Sequence, residues 1–182
     1  AALALAGCTA EAPVPTPTPT PVETVAPSGD GVLRIGTLFP TTSATAFIGA
    51  SHVAGVNAAV REINAAGGVL GAPVEVHNRD SGDASTDTLE ASFAALVERG
   101  VDVIIGPSSS VLAERLLPLA ADARIPLISP SATYPRLADV DTDGWIFRTI
   151  PTYAHQGALL GSLLPEKKST AVALVTTGDE LT

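Results

Sequence analysis

Val101-Asp102-Val103-Ile104-Ile105-Gly106-Pro107-Ser108-Ser109-Ser110 decides the fold: a β-branched run stops at a Gly-Pro breaker and small hydroxyl residues follow at once. Ile125-Pro126-Leu127-Ile128-Ser129-Pro130-Ser131-Ala132-Thr133 repeats the pattern about twenty residues on. If the two runs are neighbouring parallel strands, both turns lie at their carboxyl ends. Open α/β sheets take their ligands at that edge. Hydroxyls and free backbone N–H groups converging there suit a small carboxylate. Neither turn carries obvious machinery for chemistry.

The surroundings of these runs alternate between two periods. Residues 32–39 read as a strand closed by Pro40. Over residues 49–64, Val53, Val56, Val60 and Ile63 recur at helical spacing, and Gly67-Gly68 supply a stop. Residues 74–78 form a second strand. Leu89, Phe93, Leu96 and Val97 mark a second helix ended by Gly100, and residues 101–105 a third strand. Leu112, Leu116, Leu119 and Ala123 mark a third helix, followed by a strand at Leu127-Ile128. This order argues for an α/β fold with a doubly wound parallel sheet. Residues 145–149, 154–164 and 170–176 continue the alternation as strand, helix and strand, and the chain stops in the loop that follows. An unpaired final strand predicts a chain cut from a longer one.

Bulk properties exclude several functions. With 182 residues, 46% of them hydrophobic and 16% charged, the chain is long and apolar enough for a sizeable core. A net charge of −9 without any basic, aromatic-interleaved stripe argues against nucleic acid as a partner. Aromatics, at 4%, suggest no stacking platform for bases or sugars.

The N-terminus reads differently. Residues 1–7, Ala1-Ala2-Leu3-Ala4-Leu5-Ala6-Gly7, look like the remnant of a signal peptide. The lone cysteine follows directly, and Leu5-Ala6-Gly7-Cys8 resembles the bacterial lipoprotein box, which implies a lipidated Cys8. Each acyl methylene buried in a membrane adds about 0.8 kcal/mol of anchoring. Residues 8–31 then form a tether in which Pro13, Pro15, Pro17, Pro19 and Pro21 alternate with threonine or valine. Such a stretch favours polyproline II and spans on the order of 60 Å.

The candidate sites have plain structural readings beside the functional ones. Ser108, Ser109 and Ser110 precede a helix, where one serine can cap while another faces a cleft. The turn after Ser129 can be an ordinary one. No Gly-x-Ser-x-Gly elbow is present. His52, His77 and His155 are scattered, with His52 read as a flank residue of its helix, which argues against serine catalysis and against a zinc site. Asp80-Ser81-Gly82-Asp83 opens like a calcium loop, but positions six and twelve are Ser85 and Ala91 instead of Gly and Glu, leaving a solvated acidic loop. Phosphate cradles of the dinucleotide or Walker type are missing. No catalytic residue, metal or cofactor is expected.

Five motifs together resemble a known family: Arg34-Ile35-Gly36-Thr37-Leu38, Ile63-Asn64-Ala65-Ala66-Gly67-Gly68-Val69, Ile105-Gly106-Pro107, Ile128-Ser129-Pro130-Ser131-Ala132-Thr133 and Arg148-Thr149-Ile150-Pro151. Over residues 32–175 the chain is similar to the type I periplasmic (solute-binding) proteins of the leucine/isoleucine/valine-binding family, which serve ABC importers. The resemblance implies two α/β lobes closing on a ligand. Residues 32–150 would be most of the first lobe, and 151–182 the hinge and a truncated start of the second.

It also implies roles. Ser110 and Thr133 would donate hydroxyl hydrogen bonds to a ligand carboxylate, and Ser131 would offer its carbonyl to an ammonium. Ser108 and Ser109 would line the same turn and Ile48 the cleft wall. Two positions depart from the family pattern: Ile48 stands where an aromatic is common, and Thr152-Tyr153 where an acidic residue often follows. The expected protein is an extracytoplasmic, membrane-anchored lipoprotein that binds an amino acid of branched-chain type or a related small polar ligand. Its partners would be ABC permease subunits. Alternative readings are a ligand-sensing receptor module of the same fold and an extracellular hydrolase.

Overall fold

The computed structural model describes residues 29–140, 144–168, 170–173 and 175. Cys8, the signal remnant and nearly all of the tether lie outside them. The described elements run β1 (Arg34–Phe39), α1 (Ala46–Ala65), β2 (Glu75–Asp80), α2 (Thr88–Glu98), β3 (Val103–Ile105), α3 (Ser110–Ala123), β4 (Leu127–Ser129), α4 (Leu137–Val140), β5 (Ile146–Arg148) and α5 (Tyr153–Glu166). Among these residues the five strands form one sheet, ordered β2-β1-β3-β4-β5 and parallel throughout. The expected doubly wound α/β sheet is therefore what the chain builds.

Alternation along the strands sorts the core into two layers. Leu38, Ile104 and Leu127 face one side, where Leu89, Phe93 and Leu96 of α2 and Leu112, Leu116 and Ala120 of α3 pack on them. Ile35, Val103 and Ile105 face the other, against Val56 and Val60 of α1. Covering both faces is what lets the strands be apolar on both sides. The register pairs Ile104 with Leu127 and Ile105 with Ile128, so the two serine-rich turns leave the sheet side by side.

Several expectations about single positions are corrected. Ile63 is exposed at the end of α1, because Asn64 turns inward instead. Its amide donates to the Val74 carbonyl at 3.0 Å, and its oxygen accepts from the Val74 N–H at 2.7 Å. Val97 and Leu119 are also exposed; Leu96 and Ala120, one position away, take the buried face. The strand expected over 170–176 is absent from its described residues, which are exposed and unpaired. A strand needs a neighbour for its N–H and C=O groups, and none of the described strands lies beside it. Along α5 no residue is buried. No described helix is long and apolar enough to cross a membrane.

The first turn of α1 approaches the loop after β1 closely enough to require glycine. A Cβ on Gly49 would lie 1.8 Å from the Pro40 carbonyl oxygen, which is backbone and cannot swing away. Gly55, on the same helix, faces open space. Gly49→Ala should therefore lower the unfolding free energy by about 1–3 kcal/mol in urea titrations. Gly55→Ala should raise it by up to ~1 kcal/mol.

Candidate functional site

A cavity of about 430 Å³ opens at the carboxyl edge of the sheet. One wall is the two serine-rich turns. Gly106 makes their approach possible: its φ is +121°, and a Cβ there would stand 2.3 Å from the Leu38 carbonyl oxygen. Its N–H donates to the Ile128 carbonyl at 2.8 Å, extending the β3–β4 pairing into the turn. Beyond it the buried Ser129 hydroxyl donates to the Pro107 carbonyl at 2.6 Å and accepts from the Ala132 N–H at 3.0 Å. The Ser131 hydroxyl donates to the Ser108 carbonyl at 3.0 Å. The Ser110 hydroxyl accepts from the Tyr134 N–H at 3.2 Å.

These bonds decide what remains for a ligand. Ser129 and Ser131 spend their hydroxyl protons on the protein. Ser109 is the N-cap of α3 and accepts from the Leu112 N–H at 3.4 Å, while Ser110 accepts from Tyr134. Both keep their protons to donate. Among the described residues, the Thr133 hydroxyl and the Ser131 carbonyl have no hydrogen-bond partner. The leading N–H groups of α3 have no carbonyl within the helix to bond, and the helix dipole adds positive potential there. Ser108, Ser109, Ser110, Ser131, Thr133 and Ile48, all expected from the sequence, line this one cavity.

The opposite wall holds residues the sequence did not mark. Ser81 to Ala84, read as a solvated acidic loop, line the cavity, and Ser81 and Gly82 are buried. The loop is pinned at both ends. The Asp80 carboxylate accepts from the Thr41 N–H at 2.7 Å, the Gly82 N–H at 3.1 Å and the Thr42 hydroxyl. The Arg115 guanidinium, on α3, donates to the Ala84 carbonyl at 3.2 Å, the Thr86 carbonyl at 3.3 Å and the Glu90 carboxylate at 2.6 Å. Partial burial by itself raises the Asp80 pKa, but the hydrogen bonds from Thr42, Thr41 and Gly82 outweigh it and hold the carboxyl below its ordinary 3.8.

His52 is a second correction. Its Nδ1 lies 2.9 Å from the Ser108 hydroxyl, its ring stands 4.9 Å from that of Phe39, and it lines the cavity. Burial pushes its imidazole below the ordinary 6.5. The contact spans 56 residues of chain, and no local pattern announces it. No carboxylate among the described residues bonds the other ring nitrogen, so the pair lacks the orienting third group of an activated nucleophile. Tyr153, at the start of α5, also borders the cavity.

An open parallel sheet with a hydroxyl-lined cavity at its carboxyl edge is the arrangement in which α/β proteins hold small molecules. The periplasmic binding protein family model matches residues 32–181. The leucine-, isoleucine-, valine-, threonine- and alanine-binding protein of Pseudomonas aeruginosa is 31% identical over 148 residues, covering 79% of this chain and 38% of that protein. Glutamate receptor 2.8 of Arabidopsis thaliana is 40% identical over 78 residues, 41% of this chain and 8% of the receptor. Among solved structures, the branched-chain amino acid transporter substrate-binding protein LivJ from Streptococcus pneumoniae, in complex with isoleucine, superposes with a TM-score of 0.63 at 29% identity. That match covers 75% of this chain and 38% of LivJ. The chain belongs to the periplasmic binding protein family, and it spans well under half the length of these binding-protein relatives.

Acid should loosen the pinned loop. A carboxyl whose folded pKa is depressed adds stability that is present above its unfolded value of 3.8 and lost as pH falls through the folded one. Asp80→Asn should lower stability near neutral pH and flatten the loss below about pH 4. Urea midpoints measured across that range check both signs.

Proposed function

We propose that this chain carries the first ligand-binding lobe of an extracytoplasmic solute-binding protein, which delivers an amino acid of branched-chain type to an ABC importer. The observation that carries the reading is the convergence of unspent donors on one cavity: the Ser110 and Thr133 hydroxyls beside the leading N–H groups of α3. In this reading they hold the ligand carboxylate, and the Ser131 carbonyl accepts from its ammonium. Ser108 and Ser109 complete the turn, while Ile48 and Leu112 meet an apolar side chain. Residues 32–150 form the first lobe and 151–182 the hinge and start of a second. Cys8 carries the lipid and residues 8–31 the tether. The named binding partners of the Pseudomonas and Streptococcus relatives agree with the ligand class.

A sensing role in the same fold is the second reading, favoured by the similarity to a plant glutamate receptor. Catalysis is not part of either reading, since the relatives of known role in transport are binding proteins.

Titration calorimetry of the whole protein against L-leucine, L-isoleucine, L-valine and short aliphatic acids tests the ligand class. Binding to at least one amino acid is expected, and silence across the panel overturns the reading. Ser110→Ala and Thr133→Ala should each weaken binding by about 10–100-fold, the loss of one hydrogen bond to a charged group. Cys8→Ala should release the protein from membranes into the medium and abolish incorporation of labelled palmitate. Unchanged membrane retention and labelling would remove the anchor.

A further inference from the structure

The hydrogen bond between His52 and Ser108 sets the polarity of part of the cavity wall. Ser108 is held in place from its backbone side, where its carbonyl accepts from the Ser131 hydroxyl. Among the described residues its own hydroxyl has one partner, the His52 Nδ1 at 2.9 Å. A hydroxyl carries one proton and two lone pairs. When Nδ1 is bare, that proton goes to His52 and Ser108 turns only lone pairs toward the cavity. When Nδ1 carries a proton, Ser108 accepts it and its own proton is free to point at a ligand.

We propose that His52 is a specificity-determining residue: as neutral imidazole it takes the Ser108 proton at Nδ1 and makes Ser108 an acceptor suited to a ligand ammonium, and as imidazolium it makes Ser108 a donor suited to a carboxylate. For the class of ligand this rests on the function proposed above and deepens it. Imidazolium has a proton on both nitrogens, so protonation reverses the Ser108 hydrogen bond of a neutral ring whose Nδ1 is bare.

Few other titratable groups face this pair. Phe39 and Pro40 meet it from β1 and its loop, and the first turn of α3 contributes only serines, Val111 and Leu112. Among the described residues, Asp83 is the one carboxylate and Tyr153 the one phenol that line the cavity. Asp80 stands behind them, engaged with Thr41, Thr42 and Gly82. None of the three bonds the imidazole. Burial in this neighbourhood lowers the His52 pKa below its ordinary 6.5, which favours the neutral ring at neutral pH and puts the change on the acid side of that value.

The test has two arms, both on the whole protein. Long-range ¹H–¹⁵N correlation at about pH 7.5 reads the tautomer without any ligand. A bare Nδ1 with the proton on Nε2 is expected, and a protonated Nδ1 overturns the proposal. Calorimetry then compares L-leucine with 4-methylpentanoate, the same skeleton without the ammonium, at about pH 7.5 and about pH 5, with affinities referred to the ionised acid. The preference for leucine should fall by about tenfold or more on acidification, the worth of one exchanged charged-group hydrogen bond. In His52→Asn, which keeps an uncharged partner for Ser108, the preference should not move with pH; His52→Gln serves if that variant does not fold. A pH-independent preference in the unmodified protein overturns the proposal. If neither probe binds, it is the amino-acid reading that fails, and the tautomer arm still decides the role of His52.

Discussion

The Ser129 hydroxyl is the point on which the site depends. It is fully buried at the carboxyl end of β4, where it donates to Pro107 in one turn and accepts from Ala132 in the other. Two loops leaving adjacent strands have no reason of their own to stay together, since their backbone groups have left the ladder. One buried hydroxyl satisfies a carbonyl and an N–H that would otherwise be stranded, at a cost of about 1–3 kcal/mol each. Ser131 and Ser110 add further cross-links between the same segments. The result is a wall whose shape comes from hydroxyls facing inward, and whose ligand chemistry comes from the few that do not.

Helix α3 joins that wall to the rest of the molecule. Its leading turn carries Ser109 and Ser110, its body buries Leu112, Leu116 and Ala120 against the sheet, and its Arg115 holds the loop after β2. Arg115 suits this task because a planar guanidinium reaches two carbonyls and a carboxylate together, as a lysine ammonium would not. Asp80 fastens the near end of the same loop to Thr41 and Thr42, the approach to α1. Both walls of the cavity are thus tied to elements that cannot move without opening the core.

What was legible in the sequence follows from the range of each interaction. The five strands of the sheet and the helices packed on it were, because periodicity is local: Leu89, Phe93 and Leu96 repeat every turn, and Val103 to Ile105 is continuously apolar, whereas the apolar run expected as a strand over 170–176 has no partner among the described strands. The serine turns were, because a breaker at a strand end is also local. Ile63 was misplaced since spacing alone does not show that the Asn64 amide pairs with Val74. The His52–Ser108 bond and the Arg115 clamp were invisible, as their partners lie 56 and about 30 residues apart and meet only through the parallel crossovers. Asp80 looked like part of a solvated loop because nothing in a run of Asp, Ser and Gly says that one carboxylate points back at the preceding strand's loop.

The choice of donors carries a consequence for what the cavity favours. Among the described residues its lining includes hydroxyls and helix N–H groups but no lysine or arginine, in a chain whose net charge is −9. An approaching free anion meets a repulsive overall field, screened only beyond about 8 Å at physiological salt. A zwitterion has no net charge for that field to act on, and in the proposed reading its carboxylate meets attraction only at hydrogen-bonding range, from Ser110, Thr133 and α3. Cationic side chains would reverse this ordering, drawing in any anion and holding it through charge-assisted bonds about twice as strong. In the proposed reading, neutral donors in a chain of net negative charge favour a ligand that brings its own compensating charge over a free anion.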